Sequence, residues 1–376
     1  MSTPAFRSWV EVSRRQIAEN YQAVRAAAGP GVEILAVVKA DAYGHGAVEV
    51  ARTLAGQGAR WLAVSSVEEG ATLRDAGIPL RILVMADNLP GTRQALIEHD
   101  LTPVVHTLED LRALDEAART ADRELRYHLK IDTGMGRLGT QAAVAEIAAA
   151  VEAAGHMRLE GLMTHLASAA DYTTRSTDRQ VRAFQELCGN LCRGPIAPEY
   201  FHMAATIPIA YGRREAFGNM VRPGHALYGY VSPARGEAPP SQLQVQPALT
   251  WKASVLAVKE VPEGTAIGYG GMFRAPRAMR IAVLAVGYAD GVSHRLSNRG
   301  QVIAAGKLAP ILGAVSMDLT TIDVTECPSI VPGDAVTLLG REGDVTLNAQ
   351  QIARAAGTIS YDILCRISAR VKRVWV

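Results

Sequence analysis

Short runs of apolar residues recur through the first two-thirds of the chain, and segments with helical spacing lie between most of them. The segment 107–120 (T-L-E-D-L-R-A-L-D-E-A-A-R-T) is typical of these connecting segments. Short apolar runs that alternate with helical patterns predict buried parallel strands joined by helices. The runs cover residues 34–40, 60–66, 81–87, 102–107, 127–133, 161–167, 200–205 and 225–230. We therefore predict an α/β fold that begins with a (β/α)8 TIM barrel.

The pattern changes near residue 232. Residues 232–247 are rich in proline and lack periodicity, which indicates a linker. Beyond it, strand-like runs follow one another with Gly and Pro turns, and a helical pattern returns only at 348–367. This pattern predicts a second, mostly β domain. We place the barrel at residues 12–240 and the C-terminal β domain at residues 241–376.

The composition excludes several classes of partner. The chain has 376 residues and a formal net charge of +2, without a run of lysine or arginine, which argues against nucleic acid or a membrane surface as a partner. We find neither a signal peptide nor an apolar stretch of transmembrane length. Cys188 and Cys192 could share a helix face, but no further ligands lie near them, so we expect no metal site. Such thiols indicate a reducing compartment, the cytoplasm.

Lys39 ends the first apolar run and precedes a turn that contains Tyr43, Gly44 and Gly46. Desolvation lowers the pKa of a lysine, and the neutral amine can attack a carbonyl carbon. A lysine at the end of a strand can also extend its ammonium group into solvent, so the run alone leaves both roles open. The two glycines favour the chemical role, because they permit the backbone to approach an anion closely.

Other polar residues also follow the ends of apolar runs. These are Asp132 with Arg137, His165, and the segment 202–206. Barrel enzymes carry their active sites at the C-terminal ends of the strands, so these residues are candidates for one site.

The segment A-V-V-K-A-D-A-Y-G-H-G at 36–46 is one of several motifs spread over almost the whole chain. The others are K-I-D-T-G-M-G-R-L-G (130–139), M-V-R-P-G-H-A-L-Y-G (220–229), G-Y-G (268–270), G-Y-A-D-G (287–291), S-M-D (316–318) and I-S-Y-D-I-L-C-R-I-S-A-R-V (359–371). Together, and in this order, they resemble the motifs of alanine racemases, which use pyridoxal 5'-phosphate (PLP). The resemblance implies the same two domains, with residues 1–11 in the C-terminal β domain, and a homodimer with shared active sites.

The resemblance also implies a role for each motif. Lys39 would hold the cofactor aldehyde and serve as one catalytic base, and Tyr269 of the neighbouring subunit would be the other. The expected cofactor-binding residues are Lys39, Tyr43, His165, Thr206, Arg222, Gly224, His225 and Tyr361. Arg137, Met317 and Asp318 would contact the substrate, and Tyr288 and Arg295 would line its entryway. Lys130 matches a lysine that family members often carry carbamylated.

Arg222 matches the residue that faces the pyridine nitrogen in this family. An arginine cannot accept the proton of that nitrogen, because its own pKa exceeds ~12. We expect the nitrogen to stay unprotonated, which favours removal and return of a proton at Cα over transamination or elimination. One departure concerns the phosphate: Ala205 stands where the family usually has asparagine, although Thr206 supplies the hydroxyl of the following serine.

The expected function is interconversion of L- and D-alanine, which supplies D-alanine for peptidoglycan. Tyr361 would crowd the alanine methyl group, which argues against a racemase for serine. A non-catalytic PLP-binding barrel would lack the β domain that carries Tyr269. A PLP decarboxylase would place an acidic residue where this chain has Arg222.

Overall fold

A computed structural model provides the fold, and it describes residues 6–376; residues 1–5 of the expected N-terminal segment 1–11 lie outside them. The described chain divides into two compact units. The barrel unit comprises residues 17–42 and 47–246. The C-terminal unit comprises residues 6–16, 43–46 and 247–376, and it contains the first strand, β1 (Ser8–Val12).

The barrel unit is built on eight parallel strands that pair in the order β8-β7-β6-β5-β4-β3-β2-β9. They are β2 (Glu33–Val37), β3 (Trp61–Val64), β4 (Arg81–Val84), β5 (Thr102–Val105), β6 (Leu125–Lys130), β7 (Met157–Met163), β8 (Tyr200–His202) and β9 (Met220–Val221). A bridge between Ala205 and Arg222 connects the chain beyond the two end strands, so the barrel is nearly closed. The predicted fold class is confirmed.

Helices connect these strands. They are α1 (Arg14–Ala28), α2 (Lys39–Tyr43), α3 (Ala47–Gly56), α4 (Val67–Asp75), α5 (Arg93–Glu98), α6 (Leu108–Thr120), α7 (Val144–Ala153), α8 (Ser176–Leu191) and α9 (Thr206–Ala210). Helix α6 shows why the sequence folds this way. The hydroxyl of Thr107 accepts a hydrogen bond from the amide of Asp110 and caps the helix, and Leu111, Leu114 and Ala118 form its buried face.

The prediction of a strand at residues 225–230 is wrong. His225–Tyr228 is a short 3-10 helix, and the eighth strand is β9, which pairs with β2. Every residue from 221 to 230 is buried. An apolar run of this length has the same appearance in a buried helical turn as in a buried strand, so the pattern could not separate the two.

The C-terminal unit is mostly β, as predicted. Its strands after β1 are β10 (Leu249–Val261), β11 (Ala266–Ile267), β12 (Phe273–Arg274), β13 (Met279–Leu284), β14 (Gln301–Ala304), β15 (Lys307–Leu312), β16 (Thr320–Asp323), β17 (Ala335–Glu342), β18 (Val345–Leu347) and β19 (Lys372–Trp375). Two helices accompany them, α10 (Ala349–Ala356) and α11 (Ser360–Cys365). The long strand β10 pairs with β17 along its first half and with β13 along its second half. The ladder β10-β13-β16-β15-β14-β17 therefore closes on itself.

Within residues 6–376, the helices are too short or too polar to cross a lipid bilayer.

Candidate active site

Lys39 follows the buried end of β2 and opens α2, a turn with unusual backbone conformation. Residues 40–42 have φ angles of 52°, 51° and 53°, which is the left-handed region. This conformation costs a residue other than glycine about 1–2 kcal/mol. Two carboxylates stabilise the turn: Glu69 accepts a hydrogen bond from the amide of Ala40 at 2.6 Å, and Asp41 accepts one from the amide of Ala47 at 2.7 Å. Such strain is typical of functional sites.

Lys130 ends strand β6 with its side chain 5% exposed. Burial, followed by the positive charges of Arg137 and Arg222, lowers the pKa of Lys130 to about 8. A substantial fraction of this amine is therefore neutral near pH 8, in a setting that would attract an anion.

Arg137 lies at the end of a tight loop that begins at Asp132. One carboxylate oxygen of Asp132 accepts hydrogen bonds from the amides of Gly134, Met135 and Gly136, at 3.0, 2.9 and 3.1 Å. These bonds fix the course of the loop, and Arg137 itself is exposed. Its forked guanidinium group is thus available to bind a carboxylate in bidentate fashion.

Arg222 follows β9 and is 3% exposed. Its Nη2 donates to the carbonyl oxygens of Thr164 and Met203 at 2.7 and 2.9 Å, and it lies 3.3 Å from Nδ1 of His165. No carboxylate of residues 6–376 forms an ion pair with Arg222. Burial lowers the pKa of Arg222 to about 9, so at neutral pH it remains a buried cation compensated by carbonyl dipoles. It is therefore a strong, fixed hydrogen-bond donor.

His165 is the neutral partner of Arg222. Burial lowers the pKa of His165 to about 3, and the charge of Arg222 is the second cause. Because an arginine can only donate, Nδ1 of His165 is the acceptor in their contact. The structure thus brings together two of the residues expected from the sequence.

Thr206, Gly224 and His225 form a second group. The hydroxyl oxygen of buried Thr206 accepts hydrogen bonds from the amides of Gly224 and Ala226, at 3.2 and 3.3 Å. An oxygen that accepts two hydrogen bonds still has its own proton to donate. The ring of His225 stacks on Tyr230, with centroids 5.1 Å apart. Clustered amides and a hydroxyl are suited to an anion such as phosphate, so we call residues 206 and 224–226 the anion cradle.

The remaining expected site residues belong to the C-terminal unit. The rings of Tyr43 and Tyr361 lie 6.1 Å apart, and burial raises the pKa of Tyr43. The carboxylate of Asp318 pairs with Arg370 at 2.6 Å. Arg295 donates to the carbonyl oxygen of Gly357 at 3.3 Å.

Three expected residues of the C-terminal unit are exposed large side chains. Tyr269 is 78% exposed, Met317 53% and Tyr288 44%. The ring of Tyr288 lies 6.4 Å from that of His294. Exposure leaves these side chains able to meet another molecule.

Sequence reasoning missed two buried polar residues inside the barrel, His128 and Glu160, and it included His202 only as part of the segment 202–206. His202 accepts from Arg222 at 2.9 Å, and its other ring nitrogen lies 2.8 Å from His128. The available signal was a histidine within each of two apolar runs. A histidine in a strand is usually a satisfied core residue, and nothing in the spacing connects positions so far apart.

The chemistry of the barrel unit narrows the class of protein. Within the described residues, His, Cys, Asp and Glu side chains do not form a group that could hold a metal ion. A lysine on a strained turn, a buried guanidinium group and an anion cradle, all placed beyond the ends of barrel strands, are typical of a barrel enzyme.

Family comparison identifies this class more closely. Residues 12–233 match the model of the alanine racemase N-terminal domain, and residues 248–375 match that of the alanine racemase C-terminal domain. The chain therefore belongs to the alanine racemase family.

Individual relatives agree with this assignment. The alanine racemase of Halothermothrix orenii is 40% identical over 368 residues, which cover 97% of this chain and 96% of the relative. Among solved structures, alanine racemase from D-cycloserine-producing Streptomyces lavendulae is 36% identical with a TM-score of 0.92, covering 100% of this chain and 98% of that one. The Bartonella henselae alanine racemase, solved with covalently bound pyridoxal phosphate, is 26% identical with a TM-score of 0.87, covering 99% of this chain and 100% of that one.

Proposed function

We propose that this chain is an alanine racemase that uses PLP to interconvert L- and D-alanine. The single observation that carries the proposal is the buried guanidinium group of Arg222 against neutral His165. A PLP enzyme that transaminates or decarboxylates needs an acidic partner for the pyridine nitrogen. Here the candidate partner is a cation that can only donate.

The residues present fit this cofactor. Lys39 offers an amine to the aldehyde. The hydroxyl of Thr206, which accepts from the amides of Gly224 and Ala226, retains its own proton to donate to the phosphate. Other expected cofactor-binding residues are Gly224, His225, Tyr43 and Tyr361. Bound PLP withdraws electrons from the Cα–H bond of an attached amino acid. Ala205 lacks the side-chain amide of the asparagine that the family usually has, which removes one potential phosphate donor. The hydroxyl at the next position, Thr206, is retained.

Each remaining residue then has a defined task. Arg137 binds the substrate carboxylate through its two parallel N–H groups, with help from the backbone of Met317 and Asp318 of a second copy. Nζ of Lys39 takes or returns the Cα proton on one face of the substrate. The phenol oxygen of Tyr269 from a second copy does so on the opposite face. Arg222 keeps protons from the pyridine nitrogen.

A second copy is part of the proposal, because the C-terminal unit exposes large apolar side chains. Tyr269, Met272, Tyr288, Met317 and Ile359 are 78, 54, 44, 53 and 62% exposed. Exposed large apolar side chains are available to an interface, and closed two-fold symmetry is the commonest arrangement for identical chains. We propose a homodimer that brings Tyr269 to the partner's site, with Tyr288 and Arg295 at the entryway.

We also propose that Lys130 is carbamylated. The modification requires a neutral amine, and burial lowers the pKa of Lys130 to about 8. The resulting anion would orient Arg137. We further propose that the enzyme acts in the cytoplasm, supplies D-alanine for peptidoglycan, and has domains at 12–240 and at 241–376 with 1–11.

A direct experiment tests the function. Purified protein is incubated with PLP, reduced with borohydride and mapped by peptide mass spectrometry, and the unreduced protein is assayed for D-alanine formation from L-alanine. We expect the label on Lys39 and fast racemisation of alanine, with L-serine a poorer substrate. Protein that stays colourless with PLP, or binds PLP without producing D-alanine, would contradict the proposal.

A further inference from the structure

A line of buried polar side chains runs through the barrel interior from Arg222. Nη1 of Arg222 lies 2.9 Å from Nδ1 of His202. Because a guanidinium group has no acceptor, Nδ1 of His202 must carry no proton. Burial, followed by the charge of Arg222, holds the pKa of His202 well below its usual value. The ring is therefore neutral, and its single proton is on Nε2.

The same reasoning determines the state of the next ring. Nε2 of His202 lies 2.8 Å from Nδ1 of His128, so His202 donates and His128 accepts. Complete burial lowers the pKa of His128, which places its one proton on Nε2. That nitrogen faces Oε2 of Glu160 at 3.5 Å.

Glu160 is the anionic end of the line. It is 3% exposed, and Arg81 donates to it at 2.7 Å. Burial alone would raise the pKa of Glu160, but its interactions with His128 and Arg81 outweigh that effect and lower the pKa to about 2. All the N–H groups thus point in one direction, from a buried cation to a buried anion.

The sequence leaves room for the central ring of this line. His128 on β6 pairs with Gly161 on β7, and a Cβ atom at Gly161 would lie only 2.6 Å from Nδ1 of His128. The rings of Trp61 and Tyr200 pack against His128, with centroids 5.5 and 6.0 Å away. In this packed position the imidazole presents Nδ1 to His202.

We infer that His202 and His128 are positioning residues for Arg222: their two directed hydrogen bonds, with the Glu160 carboxylate facing the far side of His128, hold the guanidinium group in one orientation at the cofactor site. The link to the cofactor rests on the proposed function. The orientation of the two rings rests on the geometry alone. Without the acceptor at His128, His202 can move its proton to Nδ1, and that nitrogen then opposes the donors of Arg222.

Two nearly isosteric variants separate hydrogen bonding from packing. His128→Asn keeps an acceptor near the position of Nδ1, whereas His128→Leu has the same shape without one. In the holoenzyme, we expect His128→Leu to lower kcat about 10-fold, the effect of losing one hydrogen bond from the line, with little change in KM. It should also alter the visible absorption of bound PLP. His128→Asn should keep kcat and absorption close to those of the wild type.

Two further measurements keep the test decisive. Leu129→Ala, at a buried position of the same strand, provides a destabilised control that should lower Tm and leave kcat unchanged. Neutron diffraction of the wild-type holoenzyme should locate ring deuterons on Nε2 of both histidines and on neither Nδ1. This result does not require His128→Leu to fold.

The outcomes distinguish the two proposals. A deuteron on Nδ1 of either ring overturns the inference, as does a His128→Leu enzyme that loses Tm but retains kcat and absorption. Equal losses in the asparagine and leucine variants also overturn it, because packing then explains both. Wild-type protein without racemase activity would refute the proposed function, while the neutron result would still decide the orientation of the rings.

Discussion

Thr206→Val removes the hydroxyl group of the anion cradle and keeps the β-branched shape of the side chain. We expect the affinity for PLP to fall about 10- to 100-fold, because a hydrogen bond to a charged group is worth about 1.5–3 kcal/mol and each ~1.4 kcal/mol is a factor of ten. Thr206 is 4% exposed, so water cannot easily take the place of the hydroxyl.

The same substitution affects the protein without cofactor. The amides of Gly224 and Ala226 both donate to the Thr206 hydroxyl and would lose their acceptor in a buried place. An unsatisfied buried donor costs about 1–3 kcal/mol, so Thr206→Val should also lower the Tm of the apoprotein. Thr206→Ser, which keeps the hydroxyl, should have nearly wild-type values of both quantities.

The assay compares two ligands on dialysed apoprotein. PLP carries the phosphate, whereas pyridoxal has the same ring and aldehyde without it. Fluorescence titration should show a large loss of affinity for PLP in Thr206→Val and almost none for pyridoxal. If both ligands lose affinity equally, or if the serine variant resembles the valine variant, the assignment of residues 206 and 224–226 to phosphate is wrong.

Three further predictions follow from the same structure. Tyr269→Phe should slow exchange of the Cα proton from one alanine enantiomer far more than from the other, measured by proton NMR in D2O; equal losses would contradict the two-base scheme. In CO2-free buffer at pH 7, Lys130→Met should have a higher free energy of unfolding than the wild type. This difference should disappear as the pH rises from 8 to 10.5. The unfolded chain keeps the lysine proton up to pH 10.5, whereas the folded chain keeps it only to about pH 8. The stability of the wild type therefore rises between these pH values, by roughly 3 kcal/mol at ~1.4 kcal/mol per pH unit. Parallel curves of stability against pH for the two proteins would refute this. Glu69→Gln replaces the charged acceptor of the Ala40 amide by a neutral one. It should lower kcat about fivefold, because the turn after Lys39 loses ~1 kcal/mol of stabilisation. An unchanged kcat would show that the turn needs no carboxylate.

Sequence patterns predicted the barrel well, because seven of its strands are compact apolar runs between helices. The eighth strand failed for a physical reason. Met220–Val221 is too short to show a pattern, and the buried turn His225–Tyr228 belongs to a longer run that resembles a strand more closely. Burial determines that both segments are apolar in sequence, but it does not determine whether the backbone forms a strand or a helical turn.

The site was predictable only where residue type and local motif coincide. Arg222 and Lys39 lie in short motifs, so each could be proposed one at a time. The line from Arg222 through His202 and His128 could not, because its contacts join residues up to 74 positions apart. No local spacing encodes such a contact. The left-handed backbone of α2 was equally hidden, since neither Ala40 nor Ala42 has an intrinsic preference for that conformation.

This turn has a consequence for how the enzyme can be altered. Glycine adopts positive φ angles freely, so Ala40→Gly or Ala42→Gly would relieve about 1–2 kcal/mol of steric conflict. Glycine would also let the segment visit other conformations and carry the reactive amine with it. A laboratory selection for heat resistance could therefore enrich glycine at these positions and yield sturdier but slower enzymes.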